Sequence, residues 1–197
     1  MHASSTLRLP EVQSSCGTGA PAFRRRRTLI GPAATRTLSC VMIQRLTDKP
    51  IAIAADHRGV ALKTRLSDWL RANGYSVKDC GIDSGAARVD AMDYALKAVA
   101  EIKARRSDFA IGICGSGQMM AMTANRFPLI RATLLHTEEE SVWARQHGDS
   151  NMLVLGADVT DGATAEAILK TFLSTAALGD RYAARRERLA KLDISKA

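Results

Sequence analysis

The four cysteines of this sequence, Cys16, Cys40, Cys80 and Cys114, form no CxxC pair, and only four histidines accompany them. They match no zinc-binding spacing. The thiols read as reduced, in a cytoplasmic chain. No apolar run approaches the roughly 18 residues needed to span a bilayer, which excludes a membrane-spanning helix. Aromatic residues make up only 5% of the chain. A net charge of +8 and a pI near 9.7 nevertheless raise the question of nucleic acid.

The position of the charge answers it. Of the 28 basic and 20 acidic residues, 8 and 2 fall within residues 1–49, leaving 20 against 18 in the rest. The basicity therefore belongs to the amino-terminal segment, and no nucleic-acid partner is expected for the remainder. Residues 1–45 are rich in Ser, Thr, Ala, Gly and Arg, contain the run Arg24 to Arg27, and show no sustained periodicity. They read as a disordered basic extension. An organelle transit peptide, a basic interaction arm and an extension upstream of a start at Met42 all fit this composition. The last is the expectation, because Met42 lies just before the first strand.

Residues 46–197 read as one domain that includes a carboxy-terminal helix. An apolar run at Ile51 to Ala55 has strand length, and Leu62, Leu66, Trp69 and Leu70 follow at helical spacing with Gly74 as the stop. Further strands are expected at 75–80, 109–113, 130–135 and 151–155. Helices are expected at 94–104, up to Ala124, at 138–146, 163–177 and 180–192. This alternation predicts a single Rossmann-like α/β domain, three layers deep, with a five-stranded parallel sheet. In such sheets the ligand crevice lies beyond the carboxyl ends of the strands, where strand order reverses.

Chemistry-bearing residues cluster at those expected ends. Cys114, Gly115, Ser116 and Gly117 follow an apolar run and precede a helix, which places the cysteine on the turn between them. The free N–H groups of a helix start stabilise a thiolate, and glycines let backbone approach a ligand. A buried, inert cysteine is the bland alternative. Asp56 and His57 could form an acid–base pair, or Asp56 could simply cap the following turn. His147 is ambiguous alone. Arg181 and Arg185 lie four apart, on one helix face, and suit either phosphate or solvent.

The order and spacing of five motifs carry more than any one residue. DHxG at 56–59, CGSG at 114–117, ANxFPxIRA at 124–132, RQHxDxN at 145–151 and RxxxR at 181–185 together resemble the type B ribose-5-phosphate isomerase family, which includes galactose-6-phosphate isomerase subunits. The similarity runs from about Ile51 to Leu192. It implies interconversion of aldose and ketose phosphates through ring opening and a cis-enediolate, with no metal and no cofactor. By position, Cys114 would be the base and Ser116 its assistant. Backbone N–H groups around Gly115, Gly117, Gln118 and Met119 would meet the enediolate oxygen. His147, with Asp56, would open the sugar ring. His57, Arg181 and Arg185 would hold phosphate, and Arg58 and Asn125 would line the substrate. The resemblance also implies a homodimer or dimer of dimers with shared sites.

Four positions depart from the family pattern, and all face the ligand. Met119 replaces a glycine, Ala91 an aromatic, Gly148 an amide and Asp158 an arginine. Tolerated drift, a changed sugar and a silent sugar-phosphate-binding module are the three readings these substitutions allow. Ribose 5-phosphate is the simplest substrate.

Overall fold

A computed structural model of the chain describes residues 46–192. The expectations for residues 1–45 lie outside them. Three strands, β1 (Ile51–Ala55), β3 (Ala110–Cys114) and β5 (Met152–Gly156), are buried along their whole length. Short strands β2 (Val77–Asp79) and β4 (Ala132–Leu134) flank them. All pairings are parallel and the order is β2-β1-β3-β5-β4. The helices are α1 (Val60–Ala72), α2 (Ala91–Lys103), α3 (Gln118–Ala124), α4 (Glu138–Gly148), α5 (Gly162–Ser174) and α6 (Asp180–Ala190). None of them is long and apolar enough to cross a membrane.

Continuous apolar strands are what burial on both faces requires. Successive side chains point to opposite faces. Ile51, Ile53, Ile111, Ile113, Leu153 and Leu155 join one core with Leu66 and Leu70 of α1 and Ile168, Leu169 and Phe172 of α5. Ala52, Ala54, Ala110, Cys114, Met152 and Val154 join the other, with Ala95, Ala98 and Val99 of α2 and Met120 of α3. The second face is lined largely by alanine, so α2 and α3 seat close to the sheet. Cys114 belongs to that face.

Local signals set the element ends. Thr137 and Glu140 form a reciprocal capping box at the start of α4, and Asp161 caps α5 by accepting from Ala163 and Thr164. Helix α2 begins at Ala91, three residues before the periodicity suggests, because the Asp90 carboxylate accepts the Met92 N–H. The edge strands are shorter than expected, three residues each, since an edge has one partner to pair with. Strand β3 is displaced the other way. It runs through Cys114, whose pairing with Gly156 makes the cysteine the last residue of the strand rather than part of the turn.

Candidate active site

The chain leaves β1 toward α1 on one face and β3 toward α3 on the other. The reversal of strand order therefore falls between Asp56 and Cys114, the place where sheets of this kind take their ligands. The Asp56 N–H donates to the Ile113 carbonyl at 3.1 Å, continuing the β1–β3 pairing. Asp56 Oδ1 accepts from the N–H groups of Arg58 (2.9 Å) and Gly59 (3.2 Å), and the residue is 5% exposed. One carboxylate oxygen thus shapes the turn. Gly59 is needed because a Cβ there would lie 2.7 Å from Ile113 Cγ2.

His57 is oriented by the segment before α2. Its Nδ1 accepts the Val89 N–H at 3.3 Å, which places the ring proton on Nε2. The imidazole then presents Nε2–H as a donor on its far side. Arg58 turns to Asp158, with Nη2 to Oδ2 at 2.6 Å and Nε to Oδ1 at 3.3 Å.

Cys114 is 4% exposed, and its Sγ accepts the Gly117 N–H at 3.1 Å. That bond gives the sulfur a fixed backbone donor on the loop side. Gly117 has φ 77°, and a Cβ on it would collide with Leu134 Cδ1 and lie 3.1 Å from the Leu155 carbonyl carbon. The left-handed turn aims the N–H back at the sulfur. Ser116 is exposed, with its Oγ accepting from the Gln118 N–H at 3.4 Å. Gln118 and Met119 are exposed on the first turn of α3, Met119 at 45%. The loop after β5 docks alongside: Ala157 N–H donates to the Cys114 carbonyl (2.8 Å) and Asp158 N–H to the Gly115 carbonyl (3.0 Å).

His147, Arg181 and Arg185 lie elsewhere. His147 sits in the last turn of α4, which feeds β5 through Asp149, Ser150 and Asn151. Met152 starts β5 and pairs with Ala110 and Ala132, the first residues of β3 and β4, whereas Cys114 pairs with Gly156 at the other end. At about 3.3 Å per residue, the length of β5 sets the two groups on the order of 13 Å apart or more. His147 stacks on Tyr182, with ring centroids 4.3 Å apart and 8° between planes. The guanidinium carbons of Arg181 and Arg185 lie 4.8 Å and 5.6 Å from the same ring. Arg186 holds α6 to α4 by donating to the His147 carbonyl at 3.2 Å. Tyr182 was not singled out from the sequence. Its signal was its place inside the RxxxR motif.

Asn125 closes α3 onto β4: Nδ2 donates to the Ala132 carbonyl and Oδ1 accepts the Ala132 N–H, both at 2.8 Å. One chain therefore gathers Asp56, His57, Arg58, Cys114, Gly115, Ser116 and Gly117 at one end of the sheet, and His147, Tyr182, Arg181 and Arg185 at the other.

This arrangement of loops matches a known group of enzymes. The family model of the ribose/galactose isomerases matches residues 51–189. The chain belongs to that family. A ribose 5-phosphate isomerase of Thermotoga maritima is 36% identical, with a TM-score of 0.71, over 74% of this chain and 100% of that one. A ribose-5-phosphate isomerase B of Mycoplasma genitalium, solved with bound ribulose 5-phosphate, is 29% identical with a TM-score of 0.70, over 74% and 96%. The Escherichia coli ribose-5-phosphate isomerase B is 31% identical over 145 residues, 74% of this chain and 97% of that protein. Membership of the ribose/galactose isomerase family makes this protein an isomerase of the sugar phosphate class.

Proposed function

We propose that the protein interconverts an aldose phosphate and its ketose, ribose 5-phosphate and ribulose 5-phosphate being the simplest pair. The observation that carries this is the buried Cys114 sulfur, held by the Gly117 N–H at 3.1 Å at the point where strand order reverses. A proton alpha to a carbonyl is removable when the base is anionic and the developing oxyanion meets fixed donors. The Cys114 thiolate takes the C2 proton of the open-chain aldose. The electron pair forms the C1–C2 double bond of a cis-enediolate, and the O1 charge meets N–H groups of the loop from Gly115 to Met119. Each such donor is worth about 3 kcal/mol in oxyanion sites. The thiol then returns the proton to C1 while the O2 proton passes to O1, with Ser116 as the relay, and the C2 carbonyl appears.

Ring opening and phosphate binding fall to the other cluster. A homodimer that sets His147, Arg181 and Arg185 of one copy against Asp56 and Cys114 of the second completes the site. Two-fold symmetry then makes two such sites per dimer. The separation of the two clusters along β5 supports this assembly.

Direct conversion of ribose 5-phosphate by the purified protein is the test, with Cys114→Ala alongside. The expected parent kcat/KM exceeds about 10⁴ M⁻¹ s⁻¹, and the variant is inactive. A folded parent that is stabilised by ribose 5-phosphate without turning it over would instead be a binding module. A second reading, another sugar phosphate, is favoured by the Arg58–Asp158 pair.

A further inference from the structure

Asp158 departs from the family pattern, and its partner explains what it does. The loop after β5 is fixed against the catalytic loop by the bonds from Ala157 and Asp158 to the carbonyls of Cys114 and Gly115. The Asp158 side chain reaches Arg58 from this loop. A Cβ on Gly115 would lie 2.7 Å from Asp158 Oδ2, 2.8 Å from Arg58 Nε and 2.9 Å from Arg58 Cδ. The ion pair stands directly over Gly115, one residue from the Cys114 thiol.

Its two side chains are 55% and 44% exposed. A pair so exposed adds little stability, because water screens it. Its effect on a ligand is larger. A guanidinium beside this loop would be a ready anion site, since its fork matches phosphate oxygens. Here Nε and Nη2 are both engaged by the carboxylate. Asp56, Arg58 and Asp158 together bring two negative charges and one positive to this end of the sheet. A phosphate dianion is repelled by the Asp158 carboxylate over Gly115, whereas sugar hydroxyls find carboxylate acceptors and the remaining guanidinium edge.

Resting on the isomerase reading of this site, we propose that Asp158 is a specificity-determining residue. By pairing with Arg58 it removes an anion subsite above Gly115, so the substrate presents hydroxyl groups to this surface and its phosphate to Arg181 and Arg185. The substrate class is a sugar phosphate whose charged end lies away from the Arg58 edge.

Asp158→Asn in the full-length protein releases Arg58 with almost no change of shape. Calorimetric titration with inorganic phosphate is expected to show affinity rising about tenfold. The rise should vanish in Arg58→Ala/Asp158→Asn. Unchanged or weaker phosphate affinity in the single variant, or a gain that survives in the double variant, overturns the proposal. Asp158→Ser replaces Asp158→Asn if the latter does not fold. Phosphate titration needs no turnover, so it reads this proposal even if the isomerase reading fails in the conversion assay.

Discussion

The Gly117 N–H points back at the Cys114 sulfur, 3.1 Å away, from a residue with φ 77°. The contact needs a left-handed backbone and a position with no Cβ. A β-carbon there would meet Leu134 and the backbone of Leu155. Gly117→Ala is accordingly expected to lower stability by about 1–3 kcal/mol and to reduce kcat more than it raises KM. Thermal melts and steady-state kinetics of the variant check both.

The two clusters at opposite ends of β5 predict complementation. Cys114→Ala and His147→Ala are each expected to be inactive. Subunits mixed one to one and allowed to exchange form heterodimers in half of the population, each with one intact and one doubly defective site. Recovery of about a quarter of parental activity is expected if sites are shared across a two-fold axis. Activity that never returns on mixing would place both groups in one site of one chain.

Asn125 spends its whole amide on the Ala132 backbone. Asn125→Asp removes the donor toward the Ala132 carbonyl and is expected to cost about 1–2 kcal/mol. KM should stay near the parental value. A rise in KM with unchanged melting temperature would give Asn125 a direct substrate role.

Arg145, 3% exposed, lies under the loop that follows His147. It donates to the carbonyls of Ser150 and Thr175 and pairs with Asp149 at 2.8 Å, over the rings of Phe109 and Phe172. Burial pulls its pKa down, although Asp149 opposes this. Arg145→Met leaves those acceptors without a donor and is expected to cost about 2–4 kcal/mol in chemical denaturation. Arg145→Lys restores the charge but not the fork, so it should recover only part.

Three carboxyls lie below their ordinary range: Glu101, Asp108 and Asp161, the last held down by bonds from Thr164 and Ala163 at the start of α5. The Arg106 fork, at 2.8 and 2.9 Å, holds Glu101 below its ordinary 4.5. Burial would raise Asp108, but bonds from Lys49 and Thr47 outweigh it and leave the group below 3.8. All three groups bind fewer protons folded than unfolded, so the stability they contribute is present above the ordinary carboxyl range and is lost as pH falls through the lowered values. Melting temperature should be flat from neutral pH to about pH 5 and fall below it. Glu101→Gln should shallow that fall.

The sequence by itself determined the layered fold and the motif positions. Continuous apolar strands such as Ile51 to Ala55 can only be buried on both faces, and helical spacing between them leaves a parallel sheet as the solution. It also marked Cys114, Asp56 and His147, because residue type and order along the chain are one-dimensional facts. Which of them meet is three-dimensional. Helix α4 runs back along the sheet, so His147 ends beside the start of β5 while Cys114 ends beside its finish. The fate of Asp158 was equally hidden. As a letter it is a charge misplaced beside an expected phosphate; 100 residues from Arg58 in sequence, it closes on that guanidinium. Ion pairs across such distances depend on how two loops dock, which local propensity and periodicity do not encode.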